Sequence, residues 1–377
     1  MSKKIVIVAG EASGDAHSAS LIQALKNINP DLEISGMGGE KMRSAGARIQ
    51  IDLAELAIIG FTDVLANFKK IKTAFKQLLA EIDSVKPAAV ILVDYPGFNL
   101  KLAKEIKKRN IPVIYYISPQ IWAWWPGRIK NIKRCVDKMI VLFEFEQKLY
   151  QDHGIDATFV GHPLLDSASV TTSKDEFLKK LGLTVQKKTI GLIPGSRKME
   201  VERILPILLE SARLIKNELP AAQFIVLKAR GLAKEIFQKE VAKHDFPLPI
   251  SENQTYDFLN ACDFALVASG TATLETAIMQ TPMLIVYKVS FLNWLIARML
   301  IRLPYIGLVN VVAQKKIVPE FVQFQARPKD IAACALATLT HPQALTTVKQ
   351  QLGQVRQRLG AKGATELAAQ AILNYLA

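Results

Sequence analysis

Asp94 ends an apolar run in Val93-Asp94-Tyr95-Pro96-Gly97-Phe98-Asn99, where Pro96 and Gly97 stop a strand. An acid just beyond a buried strand sits among apolar neighbours that disfavour its charge. Its proton affinity then rises towards that of a general base. A loop carboxylate bonding nearby N–H groups has the same sequence, so both readings stand. Gly10-Glu11-Ala12-Ser13-Gly14-Asp15 closes a second apolar run. Its small residues let backbone approach a ligand, and its two carboxylates suit sugar hydroxyls or proton transfer. Glu11 would repel a pyrophosphate, so a dinucleotide is not expected there. The competing reading is a strand–helix turn with Ser13 or Asp15 as N-cap.

Two further loops suit phosphate. In Pro194-Gly195-Ser196-Arg197, Gly195 and Ser196 offer backbone and hydroxyl donors, and Arg197 can pair with a diphosphate through two N–H groups. In Ala268-Ser269-Gly270-Thr271-Ala272-Thr273-Leu274-Glu275 a hydroxyl-rich turn opens a helix, with Glu275 one turn in to accept ribose hydroxyls. A plain N-cap with a dipole-favoured glutamate is the alternative.

Three of the four tryptophans fall in Ser118-Pro119-Gln120-Ile121-Trp122-Ala123-Trp124-Trp125. Such a cluster after a strand lines a sugar or acyl site, or packs a core. His162, in Gly161-His162-Pro163, is a candidate acid or phosphate donor, with a structural turn as its rival. No His, Cys, Asp or Glu set has metal-ligand spacing, so no metal and no other cofactor is expected.

These loops need strands to present them. Lys4–Ala9, Ala88–Val93, Ile111–Ile117 and Lys138–Phe143 read as buried strands, with helices over Ala16–Asn27 and Leu100–Arg109. The pattern restarts with strands at Thr189–Ile193, Gln223–Lys228, Phe264–Val267 and Met283–Val286, and helices at Glu202–Asn217 and Thr273–Met279. The expected division is residues 1–165 with the carboxylates, 186–345 with the phosphate loops, and a helical tail over 346–377 broken around Gly360–Gly363. Polar Pro163–Gln186 is the expected connection. Two such α/β halves place a ligand crevice at the carboxyl ends of their strands.

Half of the 377 residues are hydrophobic and 22% are charged, a balance that supports packed cores and excludes a disordered or coiled-coil chain. Lys plus Arg is 48 against 34 acids, a net +14 that favours anionic partners. Three scattered cysteines give neither a disulfide framework nor a zinc pattern. The short Ile5–Ala9 run is no signal sequence, and no apolar stretch is long enough to span a bilayer, so a cytosolic chain is expected.

Phe61, Val64, Leu65, Phe68, Ile71, Phe75, Leu78 and Leu79 recur at helical spacing among Lys69, Lys70, Lys72 and Lys76. This is a basic amphipathic helix, for membrane contact or for core packing. Thr276–Pro319 holds no acid, and within it Phe291–Leu303, with Trp294, Arg298 and Arg302, suits an acyl-chain interface. From Tyr95 to Val136 nine Lys and Arg face one acid, Glu105. No nucleic-acid-binding motif interleaves with these patches, so nucleic acid is not an expected partner.

Gly10–Asp15, Asp94–Asn99, Ser118–Trp124, Gly161–Pro163, Pro194–Arg197 and Ser269–Glu275, followed by Leu308-Val309-Asn310 and Val318-Pro319-Glu320, resemble the lipid-A-disaccharide synthase family across nearly the whole chain. The resemblance implies a GT-B α/β fold, two Rossmann-like doubly wound domains facing a central cleft. It implies an inverting transfer from UDP-2,3-diacylglucosamine to 2,3-diacylglucosamine 1-phosphate, giving a β-1,6 disaccharide and UDP without a metal. It places the enzyme at the cytoplasmic face of the inner membrane in lipopolysaccharide assembly, on an anionic surface, with homodimerisation left open. Glu11 and Asp94 match the acidic pair, Arg197 the diphosphate arginine, and Ser196, Gly195, Ser269, Gly270, Thr271, Glu275 and Asn310 further UDP contacts. Ser13, Asp15, Gln120, Trp122, Trp124 and His162 are expected nearby. Phe61, Val64, Leu65, Phe68, Phe291 and Trp294 are the expected membrane or acyl contacts. Many members carry a second acid where this chain has Gly97. The rivals are another GT-B enzyme or epimerase acting on UDP-N-acetylglucosamine, and a non-catalytic basic membrane or RNA adaptor.

Overall fold

A computed structural model describes residues 3–53, 68–122, 126–291, 294–295 and 304–377. The chain divides into two units, one of residues 1–163 and 360–377, the other of 164–359.

The first unit runs β1 (Lys4–Ala9), α1 (Ala12–Ile28), β2 (Glu33–Gly38), α2 (Glu40–Ser44), β3 (Arg48–Asp52), α3 (Phe68–Val85), β4 (Ala89–Val93), α4 (Pro96–Lys107), β5 (Val113–Tyr116), α5 (Ile129–Cys135), β6 (Lys138–Val141), α6 (Glu144–Gln151) and β7 (Ala157–Phe159). Its seven strands are all parallel in the order β3-β2-β1-β4-β5-β6-β7. Side chains alternate across the sheet. Val6, Val8, Val90 and Leu92 enter one core and Ile5, Ile7, Ile91 and Val93 the other, as in a sheet covered on both faces. Order reverses between β1 and β4, so the loops carrying Glu11 and Asp94 leave the sheet side by side.

The second unit adds α7 (Lys174–Lys180), β8 (Thr189–Ile193), α8 (Lys198–Glu218), β9 (Gln223–Lys228), α9 (Lys234–Val241), β10 (Ile250–Glu252), α10 (Thr255–Ala261), β11 (Phe264–Ala268), α11 (Ala272–Ile278), β12 (Met283–Tyr287), α12 (Leu308–Ala313), β13 (Glu320–Val322), α13 (Pro328–Leu339) and α14 (Pro342–Arg358). Its parallel order β10-β9-β8-β11-β12-β13 reverses between β8 and β11, the two strands that carry the phosphate-loop candidates. The last helix, α15 (Ala364–Leu376), returns to the first unit, where Ala368, Ala369 and Ile372 are fully buried in the core shared with α1.

Two expected boundaries are corrected. The tail 346–377 is not a separate element: α14 belongs to the second unit and α15 to the first. Residues 164–186 are not a free connection but part of the second unit. Asp257 accepts hydrogen bonds from the Thr171 N–H (2.7 Å), the Thr171 hydroxyl (2.7 Å) and the Thr172 N–H (2.9 Å). Lys174 pairs with Asp263 at 3.0 Å, and Phe177 and Leu178 are buried. Three charge-assisted bonds on one carboxylate make a strong anchor. Asp257→Ala is expected to lower the stability of this unit by about 2–4 kcal/mol. Denaturant unfolding, together with faster proteolysis within residues 168–173, measures it.

Candidate active site

Asp94 and Tyr95 both lie in left-handed backbone, φ 46° and 47°. Non-glycine residues hold that conformation only where their surroundings enforce it. Here the Asp94 carbonyl accepts bonds from the Asn99 amide (2.8 Å) and the Tyr115 hydroxyl (2.5 Å), while its N–H donates to the Tyr116 carbonyl at 3.1 Å. Asn99 also donates to the Val93 carbonyl at 3.2 Å. Asp94 lines a pocket of about 320 Å³ with Pro96, Ile117, Ser118, Pro119, Gln120, Ile121 and Arg128. Ile117 is left-handed too, at φ 62°, a costly state for a β-branched residue.

Glu11 is the N-cap of α1 and is exposed, whereas Asp94 is half-buried. Burial first, and then the charge of Glu11, push the Asp94 carboxyl up from the ordinary carboxylate value to about 6, against a bond from the Tyr95 N–H. The expected acidic pair is therefore brought into electrostatic contact. Tyr95, which the sequence reading passed over, packs its ring against Gly10, where an added Cβ would stand 2.0 Å from it. Its hydroxyl is pushed up by burial and by Glu11.

The other expected residues of this unit divide. Ser13 and Gln120 are exposed. Asp15 is not the N-cap and offers little to a ligand. It is buried and accepts from the backbone N–H groups of Gly39 (2.7 Å), Met42 (3.1 Å) and Lys41 (3.2 Å), tying α1 to the start of α2. His162 is buried against Phe143, and burial, then His17, lower its pKa to about 4. It is therefore neutral at physiological pH, with one ring N–H still able to donate a hydrogen bond. Trp122 donates its indole N–H to Glu146 at 3.0 Å and meets Phe145 edge-on. Trp124, Phe61, Val64 and Leu65 lie outside the described residues, and nothing is described of the Phe68 side chain.

In the second unit Gly195 adopts φ 112°, and the Ser196 N–H donates to Glu200 at 2.9 Å, so Glu200 folds over the loop at the start of α8. Arg197 is the N-cap of that helix and is exposed. Gly270 is left-handed at φ 152°, Thr271 is exposed at the N-cap of α11, and Ser269 donates its hydroxyl to the Ile306 carbonyl at 3.1 Å. Glu275 is half-buried, its carboxyl pushed up by burial and held back by Tyr256, a neighbour the sequence did not reveal.

Asn310 is a correction. It is fully buried, and its amide accepts from Ile317 (2.8 Å) and Val318 (3.1 Å) and donates to the Val318 carbonyl (2.9 Å) and Glu320 (2.8 Å). All four positions of the amide are used within the chain, leaving none for a nucleotide. Glu320 in turn accepts from the Ile306 and Gly307 N–H groups at 2.9 and 3.0 Å, fixing the loop that receives Ser269.

The membrane candidates also divide. On α3, Ile71, Phe75, Leu78 and Leu79 pack into or against the core, so core packing claims this stripe, while Lys69, Lys70, Lys72 and Lys76 stay exposed. Phe291 and Phe324 are about 60% exposed and form an aromatic cluster with Trp294, at ring separations of 5.2–6.4 Å. Among the described residues no group of three His, Cys, Asp or Glu is placed to hold a metal, and no helix is long and apolar enough to cross a membrane.

Gly10→Ala tests the packing of this turn, because a methyl group there must displace Tyr95. We expect a folded protein destabilised by about 1–3 kcal/mol, with turnover lowered further than stability alone accounts for. Thermal unfolding beside turnover separates the two.

Comparison with known proteins agrees with this geometry. A family model for lipid-A-disaccharide synthetase matches residues 5–374. A lipid-A-disaccharide synthase of Syntrophus aciditrophicus is 45% identical over 369 residues, covering 98% of this chain and 96% of its own. Among solved structures, the glycosyltransferase of kitacinnamycin superposes with a TM-score of 0.65 at 15% identity, both chains fully covered. UDP-GlcNAc 2-epimerase from Neisseria meningitidis, bound to UDP-GlcNAc, gives 0.64 at 13%, covering 98% of this chain and 100% of its own. At such identities these two show the fold alone, two parallel α/β units of the GT-B class. With a family model matching residues 5–374 and a relative 45% identical over 98% of this chain, the chain belongs to the lipid-A-disaccharide synthase family of glycosyltransferases.

Proposed function

We propose that the protein joins UDP-2,3-diacylglucosamine to 2,3-diacylglucosamine 1-phosphate by direct displacement with inversion. The observation that carries the reading is Asp94. It is a carboxylate on an enforced left-handed turn, lining a pocket, with a pKa raised to about 6 beside Glu11. Such a group is ionised at neutral pH yet basic enough to draw a proton from a sugar hydroxyl. As Asp94 takes the proton of the acceptor 6-hydroxyl, that oxygen bonds to the donor's anomeric carbon and the bond to the UDP oxygen breaks. Arg197 and the Ser196 hydroxyl compensate charge on the leaving diphosphate. Glu275 takes the ribose, and Arg128, on the Asp94 pocket, faces the acceptor phosphate. No resident metal is invoked. Exposed Phe291 and half-buried Trp294, in a stretch without acids, with exposed Phe324 against them, support contact with acyl chains at an anionic membrane surface on the cytoplasmic side.

The test combines purified protein, EDTA, both diacyl substrates and detergent, and follows UDP and disaccharide phosphate. Product formation that persists in EDTA and vanishes in Asp94→Ala supports the reading. A folded protein that binds UDP without product points to another acceptor, and one that binds no UDP overturns the transfer. Asp94→Asn is expected to lower kcat by about 10²–10⁴-fold. Wild-type turnover should fall as pH drops below about 6, where Asp94 takes up its proton. A carboxyl whose folded pKa exceeds its unfolded value stabilises the fold at low pH and loses that contribution as pH rises through about 6. At pH 7 Asp94→Asn should therefore be the more stable protein, by up to about 3 kcal/mol, in denaturant unfolding. For Arg197→Ala the expectation is UDP affinity weakened about tenfold by calorimetry.

A further inference from the structure

Glu146 takes no part in the chemistry proposed above, yet it is a 2% exposed carboxylate on the third residue of α6. One oxygen accepts both the Ser118 hydroxyl (2.7 Å) and the Trp122 indole N–H (3.0 Å), and the other accepts the Phe143 N–H at 3.3 Å. Its bonds therefore reach the loop after β5 at Ser118 and again at Trp122. Ser118, Pro119, Gln120 and Ile121 of that loop line the Asp94 pocket. Tyr150, also on α6, points its hydroxyl at the Pro119 carbonyl from 3.4 Å. The loop begins at Ile117, which is held left-handed and would relax to extended backbone if its neighbour were released. The Phe143 bond is the ordinary cap of α6 by a glutamate at its third residue, but the other oxygen, with the Ser118 and Trp122 bonds, is spent on the loop and not on the helix.

We propose that Glu146 is a positioning residue whose buried carboxylate fixes the Ser118–Trp122 wall of the Asp94 pocket, and with it the seat of the acceptor sugar. The acceptor part rests on the function proposed above. The wall part stands on the geometry alone.

Hydrogen–deuterium exchange on the full-length wild type, Glu146→Ala and Glu146→Gln reads the wall. Steady-state rates with acceptor and donor varied in turn read the seat. In Glu146→Ala, exchange of residues 117–122 rises and that of 189–197 does not. Acceptor KM rises about tenfold, the worth of roughly one lost hydrogen bond, while donor KM and UDP affinity stay within about twofold. In Glu146→Gln the amide oxygen still accepts from Ser118 and Trp122, so acceptor KM recovers to within about threefold of wild type. Unchanged exchange in 117–122, or equal loss towards donor and acceptor, overturns the proposal. Should Glu146→Ala fail to fold, Ser118→Ala and Trp122→Phe each remove one bond from the loop side. Faster exchange in 117–122 with a raised acceptor KM then supports the proposal, and wild-type values in both overturn it. A wild type inactive on the diacyl substrates would overturn the function and not the wall, which the exchange pattern decides.

Discussion

A Cβ on residue 10 would stand 2.0 Å from the Tyr95 ring, so the approach of the first strand's end to the turn after the fourth exists only because Gly10 carries a hydrogen there. That contact seats the Tyr95 ring near the charge of Glu11, next to Asp94 in a backbone conformation that few residues adopt. The strain is met by bonds from Asn99 and Tyr115 to the Asp94 carbonyl, while the carboxylate is engaged by the Tyr95 N–H. Apolar burial and one neighbouring charge then raise its basicity. Sheet topology, a missing methyl group and a displaced pKa are thus successive effects of one packing constraint.

Much of this is legible in the residues, and the illegible part has physical causes. Central strands are apolar runs because parallel strands are buried on both faces, and Thr189–Ile193 and Gln223–Lys228 fall where the pattern puts them. The second strand escapes because Gly36 and Gly38 interrupt it. Gly36 is required, since a Cβ would lie 2.0 Å from the Ile7 carbonyl oxygen. Three-residue edge strands such as Glu320–Val322 are too short to carry a period.

Asp94 and Glu11 are readable because small residues and strand ends frame them. Asp15 misleads for the same reason, whereas Asn310, matched by resemblance alone, lies within a helix and not at a strand end. A polar residue in such a frame serves backbone N–H groups as readily as a ligand, and only the hydrogen-bond partners distinguish the two. Glu146 is silent in the sequence because its partners lie 24 and 28 residues away. The lysine-flanked stripe of the third helix is half of a core whose other half is a sheet, and periodicity does not say what lies opposite.

The last helix carries a consequence for how the chain is made. Its Ala368, Ala369 and Ile372 close a core to which Ile5 also contributes, so a unit begun before residues 164–359 is completed only after them. Residues 164–359 can settle while the earlier sheet still shows an apolar face to solvent. During synthesis that face stands open for the whole time the second unit is being extruded. A chain stalled or cleaved anywhere before its final turns is left with exposed isoleucine and valine, a natural mark for chaperones and proteases.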